Sequence, residues 1–377
     1  MYMKVCFILL FLVTMCTSCN INKTGNEGDL ILNVDFKSPN PVQFDELFSK
    51  IELIPLETND SCLLVSVDKV FLSGEELFVF DQIKPSLFVF DKNGNFKRQI
   101  SRIGNGPGEY QTISDVFIEK NSIVLLTPFG AMNFYNRSGK FLEKKILPTK
   151  PNYFALSHLQ NENWVLWSCV EKEEAGISVV DNESMELLYE TWHNDRMLDM
   201  GLMKPFYTYH DTTYFGSAYL NTVYKVHADS LEVAYQWDFG SSNIDGQKLL
   251  SYSKIENANE KNNTILSDLE DGILPYSMEY HNQNKQYYYV ALRKGIGLSC
   301  PWINVFYRKV DGKSFVFDKI AEGIPVCPIA FTDEYILSVL SLDDIENYRD
   351  FLSEENFNKL TLRKGDDNPF LVKFYFK

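Results

Sequence analysis

Short hydrophobic runs recur along the chain, and each of them ends in a polar turn. Four of these runs begin at residues 89, 134, 179 and 224, so their spacing is 45 residues three times in succession. A fifth run begins at residue 306 and a sixth at residue 374. A repeat of about 40–50 residues built from several short strands is typical of propeller blades. The pattern therefore predicts one four-stranded antiparallel blade for each repeat.

The first repeat shows how the strands divide. Inner strands are predicted at residues 65–72, 77–80 and 87–91, and they are almost wholly apolar because neighbouring blades would cover both faces. The run at residues 96–100 alternates apolar and polar side chains, as a half-exposed outer strand does. An Asn-Gly pair at residues 93–94 separates the last two strands. This pair favours a tight hairpin turn with a positive φ at both residues.

Two polar, helix-like insertions lengthen the later repeats, one near residues 240–272 and one beginning at Ser341. The sixth repeat reaches the end of the sequence before it can supply a fourth strand. Residues 48–56 (FSKIELIPL) form an additional strand-like run ahead of the first repeat. Pairing of that run with the last repeat would close the ring and leave no open sheet edge. The prediction is an all-β, six-bladed β-propeller with small helical insertions over residues 47–377.

Several motifs in and beside the first repeat resemble a known family. They are residues 56–58 (LET), the run at 88–91 (FVFD) with its Asn-Gly turn, residues 103–110 (IGNGPGEY) and residues 368–371 (NPFL). Together they resemble the six-bladed, NHL-like β-propeller lipoproteins of Gram-negative bacteria. The resemblance extends over nearly all of the chain after residue 18 and is most specific in blade one. It implies the fold and an envelope location. Because most members have no assigned function, it implies little chemistry.

The N-terminus has the pattern of an export signal. Lys4 precedes an apolar run at residues 5–15, which is too short to cross a bilayer as a helix but fits the core of a signal peptide. Small residues then lead to Cys19, which resembles the lipobox of bacterial lipoproteins, where the signal is cleaved before a cysteine that receives lipid. The prediction is a signal peptide at residues 1–18 and a lipidated Cys19 with a flexible tether at residues 19–46. The alternative is an ordinary secretory signal with an incidental cysteine.

The composition and net charge of the chain limit the classes of partner that it can bind. The chain has 377 residues, of which 45% are hydrophobic, and this excludes a disordered chain. Lys+Arg is 36 and Asp+Glu is 51, so the formal net charge of −15 argues against a nucleic-acid partner. The predicted partners are the membrane, through lipid on Cys19, and an unknown small ligand, glycan or protein at the channel face. The predicted location is the envelope of a Gram-negative bacterium, with the outer membrane favoured.

Cysteine and histidine spacing predicts no metal site and no cofactor. None of the seven cysteines forms a CxxC pair, and the five histidines are scattered without HExxH spacing. Four cysteines remain after the signal and the lipidated residue are set aside. The sequence leaves open whether they form disulfides or stay buried thiols: Cys62, Cys169, Cys300 and Cys327.

The glycine-rich stretch at residues 104–109 is the first candidate site. It lacks the following helix and the lysine of a phosphate-binding loop, so it does not predict nucleotide binding. One interpretation is a tight crossover between blades one and two. The other is that Arg102, Glu109 and Tyr110 border a shallow binding site on the face where the channel opens.

Aromatic residues are the second candidate. Tyrosines cluster in the predicted inner strands of blades four and five, and Trp164, Trp167 and Trp302 also lie in predicted strands. Such rings either stack on a sugar at the channel mouth or pack one blade against the next. Packing is the favoured interpretation.

Two functional hypotheses follow. The preferred one is a non-enzymatic, lipid-anchored module that binds a ligand or another protein. The alternative is a propeller hydrolase or lyase that acts on carbohydrate or another small substrate at the channel mouth. The fold does not decide between them, and no catalytic residue is assigned. Titratable side chains converging from three or more blades, with perturbed pKa values, would favour the enzyme, whereas aromatic rings and amides would favour binding.

Overall fold

The computed structural model describes most of the chain after the predicted signal. The described residues are 30–36, 41–148, 152–160, 163–168, 175–193, 204–295, 302–340 and 342–377. Cys19, Cys169 and Cys300 lie outside them, so the predictions made for these cysteines stay predictions. Cys62 is a buried thiol and Cys327 an exposed one, and neither is in a disulfide.

Six antiparallel sheets are arranged in a ring, which confirms the six-bladed β-propeller. The chain first forms β1 (Ile31–Asn33), α1 (Phe44–Leu47) and β2 (Phe48–Pro55). The strands of blades one to three are β3 (Lys69–Ser73), β4 (Glu76–Asp81), β5 (Ser86–Asp91), β6 (Phe96–Ile100), β7 (Asp115–Ile118), β8 (Ser122–Thr127), β9 (Ala131–Asn136), β10 (Phe141–Ile146), β11 (Tyr153–His158), β12 (Trp164–Ser168), β13 (Ala175–Val180) and β14 (Leu187–His193). The strands of blades four to six are β15 (Phe206–Tyr209), β16 (Thr212–Gly216), β17 (Thr222–Val226), β18 (Leu231–Asp238), β19 (Ser277–Gln283), β20 (Tyr287–Arg293), β21 (Trp302–Arg308), β22 (Ser314–Phe317), β23 (Pro328–Phe331), β24 (Tyr335–Val339) and β25 (Phe370–Phe376).

The innermost strand of each blade lines the central channel. Neighbouring innermost strands contact one another, as β7 does with β11, β11 with β15, β15 with β19 and β23 with β3. The two middle strands of blade one, β4 and β5, are buried along almost their whole length because adjacent blades cover both of their faces. By contrast, the outermost strand of blade two, β10, is largely exposed. The apolar inner strands and the polar outer strands of the sequence therefore have a direct structural cause.

Both ends of the propeller domain share the sixth blade. Strand β2 pairs antiparallel with β25 from Phe48↔Phe376 to Pro55↔Phe370, and β24 and β23 complete the sheet. This arrangement confirms the predicted closure of the ring. Beside the pairing, the buried amide of Asn368 accepts a hydrogen bond from the Leu64 amide at 2.8 Å and donates to the carbonyls of Glu57 and Cys62 at 2.6 and 2.7 Å.

The turn at residues 93–94 differs from the predicted one. Only Gly94 has a positive φ, of 88°, and its N–H donates to the Asp91 carbonyl at 3.0 Å. The loop is therefore a type I turn closed by a glycine in the left-handed region, with a register shift in β5. The carboxylate of Asp91 selects this form because it accepts the amides of Asn93 and Asn95 at 2.8 and 3.0 Å. A Cβ at Gly94 would lie 2.0 Å from the Pro55 carbonyl oxygen of the closing strand.

The second half of the predicted tether, where it is described, also differs from the prediction. Strand β1 pairs in parallel with β18 and adds a fifth strand to blade four. Leu32 is fully buried there, and α1 buries Phe44 and Leu47 just before β2. Side chains here alternate between buried (Leu32 and Val34) and exposed (Ile31 and Asn33), as in any half-buried edge strand, and this burial is the reason that the stretch joins the domain.

Both predicted insertions are helical. The first, between β18 and β19, contains a short 3-10 helix (Gly240–Ser242), α2 (Gly246–Tyr252) and α3 (Ala258–Glu270), which sends Ile265 and Leu269 into the core of blades three and four. The second, between β24 and β25, contains a 3-10 helix (Leu342–Phe351) and α4 (Glu354–Thr361). Among the described residues, no helix has the length and apolar character needed to cross a membrane.

Candidate functional site

The site is built at one end of the central channel, where the innermost strands begin. We call this end the channel mouth. A cavity of about 420 Å³ opens there between blades one, five and six, and a second one of about 460 Å³ follows the innermost strands into the channel. Lys69, Lys204 and Ile329 line both cavities. These volumes fall within the range of small-molecule sites, roughly 300–1,000 Å³.

A fixed ion pair joins the first two blades at the channel mouth. Lys69 and Asp115 are the first residues of β3 and β7, and the Lys69 Nζ lies 2.6 Å from the Asp115 Oδ1. The Asp115 carboxylate is almost inaccessible, and its Oδ2 also accepts the Leu156 amide of blade three at 3.0 Å. The Lys69 ammonium is therefore held by Asp115 of blade two, whose carboxylate is itself fixed by an amide of blade three.

The neighbouring carboxylates of blade one hold their own loops together. Asp81 accepts the amides of Val65 and Lys84 at 2.6 and 2.8 Å. Asp68 accepts the Gln82 amide at 2.7 Å and the Ser66 hydroxyl at 2.5 Å. These bonds fix the loops that border the cavity, and they use carboxylate oxygens that would otherwise be available to a nearby cation.

Lys204 is the least paired charge of the channel mouth. It lies just before β15, surrounded by protein on most sides while remaining partly accessible through the channel. Its ammonium has no hydrogen-bond acceptor and no ion-pair partner among the described residues, and it lies 5.3 Å from the centre of the Tyr280 ring. Desolvation lowers the pKa of Lys204 to about 8, an effect that the nearby Lys69 reinforces and that Asp68 and Asp115 oppose.

Blade five contributes an arginine, a carboxylate and an aromatic ring. The Arg293 guanidinium lies 5.4 Å from the centre of the Trp302 ring, and its buried Nε has no hydrogen-bond acceptor within the described ranges. The nearest carboxylate oxygen, the Glu279 Oε1, is 3.8 Å away and accepts the Ser277 hydroxyl at 2.6 Å. All of Arg293, Trp302 and Glu279 line the 420 Å³ cavity, together with the thiol of Cys327 from the edge of blade six.

The three residues predicted to border a binding site lie together in the crossover between blades one and two. The Glu109 Oε2 accepts the Gly106 amide at 2.7 Å, and a Cβ at Gly104 would lie 2.1 Å from the same oxygen. The Tyr110 hydroxyl accepts the Arg102 amide at 3.1 Å. Its ring is buried in the core shared by the two blades, and this burial raises the pKa of Tyr110 to about 12. Glu109 and Tyr110 therefore stabilise the crossover, whereas the Arg102 side chain is exposed.

Most of the aromatic residues pack blades against each other. Trp164 and Trp167 are fully buried, and Tyr207 and Tyr235 exchange a hydrogen bond of 2.8 Å inside blade four. Trp302, in contrast to Trp164 and Trp167, is only partly buried and lines the 420 Å³ cavity. His281 lies against Gly216 in the core, and burial lowers its pKa to about 4. No group of three His, Cys, Asp or Glu side chains within the described ranges is arranged to hold a metal ion.

Sequence reasoning did not find the cations of the channel mouth. The signal that could have found two of the residues is the polar residue that begins an innermost strand, since Lys69 and Asp115 occupy this place in successive repeats. Lys204 and Arg293 carry no such signal, because one precedes a strand and the other ends one. Their convergence depends on the closing of the ring.

Comparison with known proteins agrees with this fold. Residues 30–375 match the model of a family described as a domain of unknown function, DUF4934. The chain belongs to this family. The DUF4934 match covers all six blades and also β1, the strand added to blade four. No curated protein shows significant sequence similarity to the chain.

Two solved structures resemble it over most of its length. One is a Bacteroides fragilis protein that is predicted to be exported. It is 20% identical to this chain, the match covers 92% of this chain and 99% of that protein, and the TM-score is 0.76. A member of the DUF4221 family from Bacteroides vulgatus is 13% identical, covers 90% of this chain and 99% of its own, and has a TM-score of 0.56. At these identities the likeness concerns the fold alone.

Proposed function

We propose that this DUF4934 protein is an exported, lipid-anchored binding module that holds a small ligand at the channel mouth. The observation that carries the proposal is the pair of cavities sharing Lys69, Lys204 and Ile329, since they open where side chains of several blades converge. Export and anchoring are supported by the signal-like N-terminus ending at Cys19 and by the Bacteroides fragilis neighbour, which is itself predicted to be exported. The outer membrane of a Gram-negative cell is the proposed location.

A channel-filling variant tests the position of the site. Purified protein is dialysed against a mixture of sugars, amino acids and organic acids, and retained compounds are identified by mass spectrometry. Ile329→Trp should abolish retention because the larger ring fills space common to both cavities. Leu142→Trp is the matched control, since Leu142 is 53% exposed on the outer strand of blade two. Equal retention by the wild type and both variants would place the ligand elsewhere.

The lipid anchor has its own test. Cys19→Ala should move the protein from the membrane fraction to the periplasmic or secreted fraction of a bacterial host. Cys16 lies inside the predicted signal peptide, which is removed, so Cys16→Ala is the control and should leave the protein with the membrane. Membrane fractionation that survives Cys19→Ala would refute anchoring at Cys19 without affecting the proposed binding site.

Catalysis is the second candidate because charged side chains from blades one, two and five meet at the channel mouth, together with Lys204. At neutral pH a fraction of the Lys204 amine is unprotonated, since its pKa is about 8, and an unprotonated amine can accept a proton from a bound substrate. A hydrolase or lyase acting on carbohydrate is the class that fits. The test is incubation of each retained compound with the protein. Products formed by the wild type but not by Lys204→Met would establish an enzyme. Compounds that stay unchanged would support the binding module instead.

A further inference from the structure

At the channel mouth the carboxylates have hydrogen-bond partners, whereas an ammonium group lacks them. The carboxylates of Asp68, Asp81 and Asp115 each accept at least two hydrogen bonds or ion pairs from the protein. The Lys204 ammonium, in contrast, has three N–H donors and no acceptor in the described part of the chain. Buried ammonium groups are rarely left without a partner because desolvation of the charge is costly.

A second cation shows the same pattern. Among the described residues the buried Arg293 Nε has no hydrogen-bond acceptor, and it forms only a long ion pair with the Glu279 carboxylate, at 3.8 Å. Arg293 comes from blade five and Lys204 from the loop ahead of blade four, yet both line the same 420 Å³ cavity. The cavity is therefore lined by two cations, of which Lys204 has no acceptor among the described residues and Arg293 has only a long ion pair.

The remainder of the cavity is suited to a ring with hydroxyl groups. Trp302 supplies an aromatic surface, Val67 and Ile329 supply apolar contacts, and the side-chain amide of Gln82 supplies both a donor and an acceptor. A bare inorganic anion would leave these groups unused. A sugar ring uses the apolar and the polar groups together, because its C–H face packs on aromatic rings and its hydroxyls form hydrogen bonds.

We infer that the ligand of the channel mouth is an anionic sugar, whose carboxylate or sulfate group lies between Lys204 and Arg293 and whose ring lies against Trp302. This inference rests on the proposed function, since it names the ligand class of the same site. The protein carries a formal charge of −15, so a negative ligand is not drawn to its surface in general. Recognition must come from the local cations, with Lys69 as a third cation held by Asp115.

The test compares three probes that share a hexose ring: D-glucuronate, D-glucose 6-sulfate and D-glucose. Isothermal titration to the full-length exported protein should detect at least one of the two anions and no binding of glucose. Lys204→Met should weaken that binding by about ten- to a hundredfold, the loss expected when a charged hydrogen bond is removed. Lys144→Met is the matched control because Lys144 is exposed on the outer strand of blade two, and it should bind like the wild type.

The possible outcomes separate the inference from the proposed function. Binding of one anion alone would support the inference and identify the charged group. Glucose binding as well as the anions, or anion binding unaffected by Lys204→Met, would overturn it. Failure of all three probes would also overturn it, while the Ile329→Trp dialysis experiment decides independently whether the channel mouth binds any compound. Folding of Lys204→Met is checked by its thermal unfolding transition, so that a loss of binding is not a loss of structure.

Discussion

Polar side chains are paired differently in two regions of the molecule. One is the seam of the ring, where β2 pairs with β25, and the other is the channel mouth. At the seam, where β2 meets β25, the Asn368 amide forms three hydrogen bonds and the Glu52 carboxylate binds both Lys373 and Tyr375, at 3.0 and 2.8 Å. At the mouth, neither the Lys204 ammonium nor the Arg293 Nε has a hydrogen-bond acceptor among the described residues. The polar groups of the seam named here are paired with protein, whereas the two cations of the cavity lack a hydrogen-bond acceptor and could bind a ligand.

The largest expected effect comes from removing the seam. Deletion of residues 48–56 takes away the buried side chains of Phe48, Ile51, Ile54 and Leu56. Burial of four such side chains contributes about 6–12 kcal/mol, which is comparable to the whole stability of a domain, about 5–15 kcal/mol. We expect loss of the cooperative thermal transition in circular dichroism.

The matched deletion removes residues 30–34, which add only the three-residue edge strand β1 to blade four. This variant should keep a cooperative transition at a lower temperature, because blade four retains its own four strands. A cooperative, near-native transition after deletion of residues 48–56 would contradict the role given to the seam.

Asn368→Ala tests a single polar group of the seam. The change leaves one amide and two carbonyls without their partner beside Cys62, in a place where the Asn368 side chain is only 2% exposed. We expect the free energy of unfolding to fall by about 3 kcal/mol, measured by urea denaturation. Asn358→Ala on the exposed side of α4 is the control and should change it by less than about 0.5 kcal/mol. Equal effects of the two changes would show that the seam does not depend on Asn368.

Lys204→Met should act in the opposite direction at the channel mouth. It removes a desolvated charge that has no partner in the described part of the chain, so the free energy of unfolding should not fall and is expected to rise slightly. The pH dependence sharpens this prediction. The pKa of Lys204 is about 8 in the folded protein and ordinarily 10.5. Between pH 8 and pH 10.5, Lys204 is therefore mostly protonated in the unfolded chain and mostly deprotonated in the folded protein.

The stability of the wild type should therefore increase with pH over that interval, relative to Lys204→Met. Binding of an anionic ligand should weaken over the same interval, because the ammonium loses its charge. A variant less stable than the wild type at pH 7, with parallel pH profiles, would show that Lys204 has a structural partner.

Glu109→Ala is expected to have the smallest effect on ligand binding. The change removes one hydrogen bond to the Gly106 amide, so the free energy of unfolding should fall by about 1 kcal/mol while ligand retention is unchanged. Loss of retention in a stably folded Glu109→Ala protein would instead favour the binding interpretation of Arg102, Glu109 and Tyr110.

Sequence predicted those parts of the fold that repeat. The 45-residue spacing, the apolar middle strands and the closing run at residues 48–56 each depend on periodicity and burial, which are local properties of the chain. The turn at Gly94 was only partly predicted, because the Asp91 carboxylate two residues ahead of Asn93 selects the turn type. Strand β1 was missed because three residues are too few to show a period.

The site could not be predicted in the same way. Lys69, Lys204 and Arg293 are isolated basic residues in the sequence, and charged residues are usually exposed. Their meeting is a consequence of ring closure, which brings the beginnings of distant repeats to one end of the channel. Residues 103–110 had the more conspicuous motif, yet their glycines and Glu109 serve a crossover between blades.

A crystal structure of the protein with D-glucuronate tests the central claim most directly. The account predicts electron density for one sugar at the channel mouth, with its carboxylate within hydrogen-bond distance of the Lys204 Nζ and the Arg293 guanidinium and its ring over Trp302. Density on the outer surface of the blades, or an empty channel mouth at a glucuronate concentration that saturates binding in solution, would contradict it.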